Sequence, residues 1–304
     1  MSAHLTLAPW AALFRSGNSI TAMFGVVLGA ILASQGFPTG DYAKITALHC
    51  LSVMTFMFSW NALNDYMDIE IDRINRPDRP LPSGEISEVA AKRGIASTAV
   101  LSTSFLIFAA YVSHSGDIGL DGWLPSLAIW MIALLLLFNY ESSTKLSFRM
   151  KDRGLPGNLA ISMSVGLVIV FGAASVSDPL NQRVWSVFIV GFLYNFSREI
   201  VKDIEDMDGD KGRETFAMRV GEERASTLAA LVLIAALAAM LAPFSPVLQI
   251  FTDWHVAFLI PSVVTLMMVK PKILASEHRN AQKLIKTSMQ LCLIAFLLIS
   301  LIPS

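Results

Sequence analysis

The sequence predicts an all-α integral membrane protein, a single polytopic domain over residues 1–304 with nine transmembrane helices and two pseudo-repeated Asp-rich halves. Three observations carry that expectation. The chain is 54% hydrophobic and 15% charged, whereas soluble domains carry about a quarter charged residues. Apolar windows near the roughly 17–25 residues needed to cross hydrocarbon recur along nearly its whole length. An acidic pattern at the end of one window returns, with the same spacing, at the end of another.

The windows fall at 18–35, 43–64, 88–112, 122–140, 156–175, 183–202, 224–243, 252–270 and 284–302. The first follows MSAHLTLAPWAALFRSGN, which lacks a basic stretch, short apolar core and small-residue cleavage site, so it reads as a retained helix rather than a signal. The second ends in NDYMDIEIDRINRPDRPLPSGEIS, where Pro77, Pro80, Pro82 and Gly84 predict a stiff, turning loop. Ser87 then reads as the N-cap of the third helix, with Glu88 in its first turn. The fourth leads into the basic loop ESSTKLSFRMKDRGLPGN, and the sixth ends in SREIVKDIEDMDGDKGRETFAMRVG. Cys50 and Cys292 lie within apolar windows and read as small core residues, too few for a disulfide framework or a zinc site.

Alternate loops differ in charge. Of the 23 Lys and Arg residues, all but Lys44 and Arg183 fall on one side. Basic bias in short loops sets membrane orientation, so the N-terminus and the charged loops are expected in the cytoplasm. No basic stripe with interleaved aromatics points to nucleic acid.

Asp65, Asp68 and Asp72 recur 138 residues later as Asp203, Asp206 and Asp210, both sets spelling D-x-x-D-x-x-x-D. On a helix such positions lie within about 60° of arc, so each set forms one acidic stripe. Asn61 and Glu199 extend the two stripes by one turn, while Glu70 and Asp208 point away. Clustered carboxylates repel one another, and a buried one protonates rather than stand alone. A divalent cation removes that cost. Mg²⁺ takes oxygen ligands and is commonly shared between one or two carboxylates and substrate phosphates. Two such stripes facing one another suit a metal-bridged diphosphate. Arg73, Arg76 and Arg79 behind the first set, and Lys202, Lys211 and Arg213 around the second, suit the remaining phosphate oxygens.

With Asn64, the first set reads N-D-x-x-D-x-x-x-D. Together with the second set, the R-x-x-N of Arg15 and Asn18, RPLPSG at 79–84 and GLPGN at 154–158, it resembles the UbiA superfamily of intramembrane prenyltransferases over essentially the whole chain. The run REIVKDIEDMDGDK is most similar to the archaeal ether-lipid branch, which joins a geranylgeranyl group from geranylgeranyl diphosphate to the free hydroxyl of geranylgeranylglyceryl phosphate. Related runs occur in branches acting on aromatic or chlorin acceptors. The chain departs from the family after Tyr140, where the loop is longer and more basic; either Lys145 or Lys151 fits the family Lys.

The resemblance implies a Mg²⁺-dependent transfer in which Asn64, Asp65, Asp68, Asp72, Asp203, Asp206 and Asp210 bind the metals, with Asp68, Asp72, Asp206 and Asp210 at the chemistry. Arg76, Arg79, Lys202 and Lys211 are expected on the diphosphate, and Arg15, Asn18, Lys145 or Lys151 near the acceptor. An allylic cation needs a dry cavity and is steadied by an aromatic face. Tyr140 and Tyr194 are candidates, although both rings also suit the headgroup level. Partners are then a prenyl diphosphate donor, a lipid-like acceptor and the surrounding membrane lipid. An ion-coupled transporter is the rival reading, since intramembrane acids mark ion paths. Against it, these acids gather at the ends of helices among basic loops, whereas transporter sites favour the midplane.

Overall fold

The computed structural model describes residues 7–141, 147–207 and 214–302, and every described element is helical. Eight of the described helical segments are long and apolar enough to cross a membrane, so the chain is a multi-pass membrane protein. The ninth expected window is helical too, but less apolar. The window at 43–64 forms α3 (Gly40–Met67), a helix of 28 residues, about 42 Å at 1.5 Å per residue. Its buried Thr46, His49, Ser52, Thr55, Ser59 and Asn61 dilute the apolar run, and it falls outside the eight.

The chain divides into two compact units, the first comprising Met1–Val27 and Thr39–Trp123. It contains α1 (Leu7–Leu13), the start of α2 (Ser16–Ser34), α3, α4 (Ile69–Asn75) and α5 (Glu88–Ser115). In this unit α3 packs antiparallel along α5: Ile45 and Leu48 cluster with Ala109, and Ser59 Oγ donates to the Ile95 carbonyl at 3.0 Å. Between these contacts the helices exchange a reciprocal pair. Ser52 Oγ donates to the Ser102 carbonyl at 3.0 Å and Ser102 Oγ to the Ser52 carbonyl at 2.9 Å. Such bonds need backbones in close approach, which small side chains permit. At the other end Leu13, Ala62, Ile69, Leu81, Ile86 and Ala91 form one cluster. Leu81 and Ile86 pin the Pro-rich loop to the helices, and Ser87 caps α5 as expected, accepting from the Ala90 N–H at 3.2 Å.

The second unit comprises Leu28–Pro38 and Leu124–Ser304. Its long helices are most of α6 (Gly119–Glu141), α7 (Leu155–Ala174), α8 (Gln182–Glu205), α10 (Glu222–Leu241) and α13 (His278–Leu301). Shorter α9 (Phe216–Val220), α11 (Ile260–Met267) and α12 (Val269–Leu274) connect them, with 3-10 turns at Met150–Asp152, Ala242–Phe244 and Asp253–Leu259. Gly29, in the second half of α2, lies against the α7 backbone: a Cβ there would stand 1.8 Å from the Ile169 carbonyl oxygen. α7 and α8 run antiparallel, with Gly166 against Phe188 and Asn195 Nδ2 donating to Ser162 Oγ at 3.3 Å. Ser197 Oγ ties α8 to α10 through the Ala229 carbonyl at 3.0 Å. Both cysteines are buried and free, as expected of core residues.

Candidate active site

In the first unit, the expected acidic stripe crosses a helix break. α3 ends at Met67 and α4 begins at Ile69, with Asp68 between them at φ −92° and ψ 7°. Yet the Asp68 N–H donates to Asn64 O at 3.0 Å and the Asp72 N–H to Asp68 O at 2.8 Å, so the helical ladder runs through the junction. Asp65 and Asp72 therefore share a face. Both are nearly fully buried, and one group answers both: Arg79 Nη1 lies 3.2 Å from Asp65 Oδ1 and 2.5 Å from Asp72 Oδ2. Arg79 reaches them because the loop carrying it is anchored by Leu81 and closed by the Ser83 N–H to Arg79 carbonyl bond of 2.9 Å.

A second guanidinium arrives from the chain's start. Arg15 sits at the α1–α2 break with φ +47°, a left-handed conformation uncommon outside glycine. Asn61 Nδ2 helps hold the break by donating to the Phe14 carbonyl at 3.0 Å, and the Asn18 N–H donates to the Arg15 carbonyl at 2.8 Å. Arg15 Nη2 then lies 2.5 Å from Asp65 Oδ1 and 3.2 Å from Asn64 Oδ1. Arg15 was expected near the acceptor phosphate, and Arg79 on the diphosphate. Here both serve carboxylates, because neighbouring anions with little solvent need positive partners. Asp68 and Asn64 are half-buried beside them, whereas Arg76 is exposed, its backbone N–H bonded to Asp72 O. Arg73 pairs with Glu70, and both face solvent as the sequence suggested for Glu70.

In the second unit, Asp203 lies in the last turn of α8 and Asp206 at its C-cap. Asn158 Nδ2 donates to Asp203 Oδ2 at 2.9 Å. Asn158 belongs to GLPGN, a stretch quoted above for its resemblance but given no role; its place opposite the acids on an antiparallel neighbour was invisible without α7–α8 pairing. The motif builds the start of α7, with Pro156 in its first turn. Gly154 stands at φ +72°, where a Cβ would come 2.9 Å from the Phe216 backbone nitrogen. Glu199 is buried and pairs with Arg198 at 2.8 Å and Lys202 at 3.5 Å. Asp210, Lys211 and Arg213 lie outside the described residues, as does Lys145.

Two further expected residues have protein partners in this structure. Lys151 Nζ, expected on a phosphate, is 2.8 Å from buried Glu141, a partner the sequence separated from it by a basic loop. Tyr194 is neither an open aromatic face nor a headgroup-level ring. It has no exposed surface, and its hydroxyl sits 2.8 Å from Ser288 Oγ and 3.2 Å from Ser262 Oγ, knitting α8, α11 and α13. A buried phenol needs such partners, and the side chains that supply them lie 68 and 94 residues away. Tyr140 is half-buried near the end of α6.

All the acids and Asn64 are hard oxygen donors, the chemistry a magnesium ion takes. Among the described residues no three acidic, His or Cys side chains converge to hold a metal unaided.

The UbiA prenyltransferase family matches residues 22–297. The chain belongs to that family. A digeranylgeranylglyceryl phosphate synthase of Haloquadratum walsbyi is 34% identical over 93% of this chain and 91% of its own length. A solved structure described as digeranylgeranylglyceryl phosphate synthase in membranes is 28% identical, with a TM-score of 0.69 over 97% of this chain and 98% of the other. A UbiA homolog from Archaeoglobus fulgidus bound to GPP and Mg²⁺ shares the fold at 14% identity, with a TM-score of 0.61 over 94% of this chain and 99% of its own. As a UbiA prenyltransferase the chain is a transferase, which displaces the transporter reading.

Within this UbiA chain, Asn158→Ala would leave Asp203 without its amide donor. The expected result is a loss of roughly tenfold to a hundredfold in kcat, the range seen when a partner orienting a metal ligand is removed. Initial rates across a magnesium titration check it; a purely structural Asn would leave the magnesium requirement unmoved.

Proposed function

We propose that this chain transfers a geranylgeranyl group from geranylgeranyl diphosphate to the free hydroxyl of geranylgeranylglyceryl phosphate, forming the second ether bond of an archaeal-type membrane lipid. The observation that carries this reading is the near full-length likeness to digeranylgeranylglyceryl phosphate synthase, joined to two D-x-x-D-x-x-x-D sets.

In this reading the carbon–oxygen bond of the donor breaks, diphosphate leaves, and the acceptor oxygen bonds to the allylic carbon. The hydroxyl proton goes to diphosphate, a carboxylate or water. Asn64, Asp65, Asp68 and Asp72, with Asp203, Asp206 and Asp210, hold magnesium, which when bound neutralises the diphosphate and makes it a better leaving group. Arg76, Arg79, Lys202 and Lys211 meet the negative charge that grows on the departing diphosphate. Arg15 with Asn18, and Lys145 or Lys151, receive the acceptor's phosphate. Tyr140 offers the ring face that steadies the cation, worth roughly 0.5–2 kcal/mol. The apolar stretches SVMTFMFSW and ISMSVGLVIVFGAAS supply room for isoprenoid chains. The N-terminus and basic loops face the cytoplasm, where both soluble diphosphate and magnesium are at hand.

The test offers geranylgeranylglyceryl phosphate and 4-hydroxybenzoate together with labelled geranylgeranyl diphosphate to purified protein. Label is expected in a diether phosphate identified by mass, with turnover lost on chelation of magnesium. An aromatic adduct would assign the chain to quinone-type prenylation instead.

A further inference from the structure

At the opposite end of α8 from Asp203, Arg183 opens a pocket of about 330 Å³ in the second unit. Twenty residues of helix separate the two, about 30 Å at 1.5 Å per residue. The pocket is lined by Gln35, Arg183, Thr252, His255 and Ser300, with Phe251 and the last turn of α13 beneath, and none of its lining residues is acidic.

Two of these groups lack the partners their environment demands. Arg183 is half-buried and its guanidinium lies over the Phe251 ring, 5.4 Å from the centroid, with no carboxylate paired to it among the described residues. The nearby Asp178 is engaged elsewhere, accepting from Asn181 Nδ2 at 2.7 Å. His255 is 3% exposed, and its Nε2 is buried with no hydrogen-bond partner. A buried ring nitrogen without a partner costs roughly 1–3 kcal/mol, and natural structures rarely leave one so. A cation and a buried ring nitrogen without a partner, both on residues that line one acid-free cavity, are suited to an oxyanion.

The surroundings say where that anion comes from. Trp254, adjoining the pocket, is 59% exposed, and Phe37, Leu180 and Leu248 are exposed nearby in sequence, an apolar rim of the kind found at the level of lipid headgroups. Arg183 is also one of only two basic residues on its side of the sequence, so it is not part of the charge bias that sets orientation.

We propose that the Arg183–His255 pocket binds a phosphate group, carried by an anionic lipid headgroup or as free phosphate, at the end of α8 opposite Asp203 and Asp206. Arg183 supplies the charge and a forked set of donors, His255 Nε2–H a further donor, and Gln35, Thr252 and Ser300 complete a polar wall.

Native mass spectrometry of the full-length protein in detergent tests it, with phosphatidylglycerol, phosphatidylcholine and inorganic phosphate as probes. Retained phosphatidylglycerol that falls about tenfold or more in Arg183→Gln and in His255→Phe, and that returns in Arg183→Lys, is the expected result for loss of one charge-assisted contact. Adduct formation by inorganic phosphate with the same variant pattern would assign the free anion as occupant. Equal retention of phosphatidylglycerol and phosphatidylcholine, or adducts unchanged in every variant, would overturn the site. Because adducts are counted only on the folded, monodisperse species, a variant that merely loses stability does not mimic the expected loss. Failure here leaves the prenyl-transfer reading untouched, since none of the pocket's residues belongs to it.

Discussion

Asp68→Asn and Asp206→Asn are each expected to reduce geranylgeranyl transfer by about a hundredfold to a thousandfold, the scale on which removing one charge-stabilising group from an active site acts. The substitution keeps the shape and one oxygen of each side chain but removes the negative charge with which the carboxylate would hold magnesium. Asp68 is a sensitive place to make it. Its neighbours Asp65 and Asp72 are bound by Arg15 and Arg79, and at the junction of α3 and α4 its backbone already serves the helical ladder. Transfer of labelled donor in detergent measures the effect, and an unchanged melting transition shows that folding survives. Near-normal turnover in both variants would remove these acids from the chemistry.

Gly29→Ala is expected to be the most destabilising single-methyl change in the second unit, costing about 3 kcal/mol, the upper end of the overpacking range. The added carbon would stand 1.8 Å from the Ile169 carbonyl oxygen and 3.1 Å from the Ala173 nitrogen. Both are backbone atoms, so no rotamer change relieves the clash and α2 must move off α7. A lowered melting transition checks this. Ile169→Ala in the same chain should give no rescue, because the obstruction is the main chain and not the isoleucine side chain.

Some of the local structure around the acidic motifs was legible in the sequence because it depends on near neighbours. Ser87 as the cap of α5 with Glu88 in its first turn, and the turning Pro-rich loop before it, depend on neighbours a few residues away, and the structure has them as expected. The multi-pass architecture was legible because hydrophobic length is itself local. The failures were of another kind. Tyr194 read as available because its hydroxyl partners, Ser262 and Ser288, come from distant helices. The pairing of Lys151 with Glu141 was hidden because Glu141 lies across a loop. Asn158 was quoted without a task, since its bond to Asp203 exists only once α7 and α8 run antiparallel. The polar content of α3 has the same origin: side chains that lower its apolarity as a sequence window bond within the protein.

The reciprocal bonds between Ser52 and Ser102 bear on how the first unit can move. Each serine is both donor and acceptor toward the other, so the pair mates in a single register. Sliding α5 along α3 by one turn, about 5.4 Å, would break both bonds at once and leave two buried hydroxyls without these partners. Shear between these two rods is therefore closed to the enzyme. Within the first unit, the short pieces at the acidic end, α1, α4 and the proline-stiffened strap, are not doweled in this way.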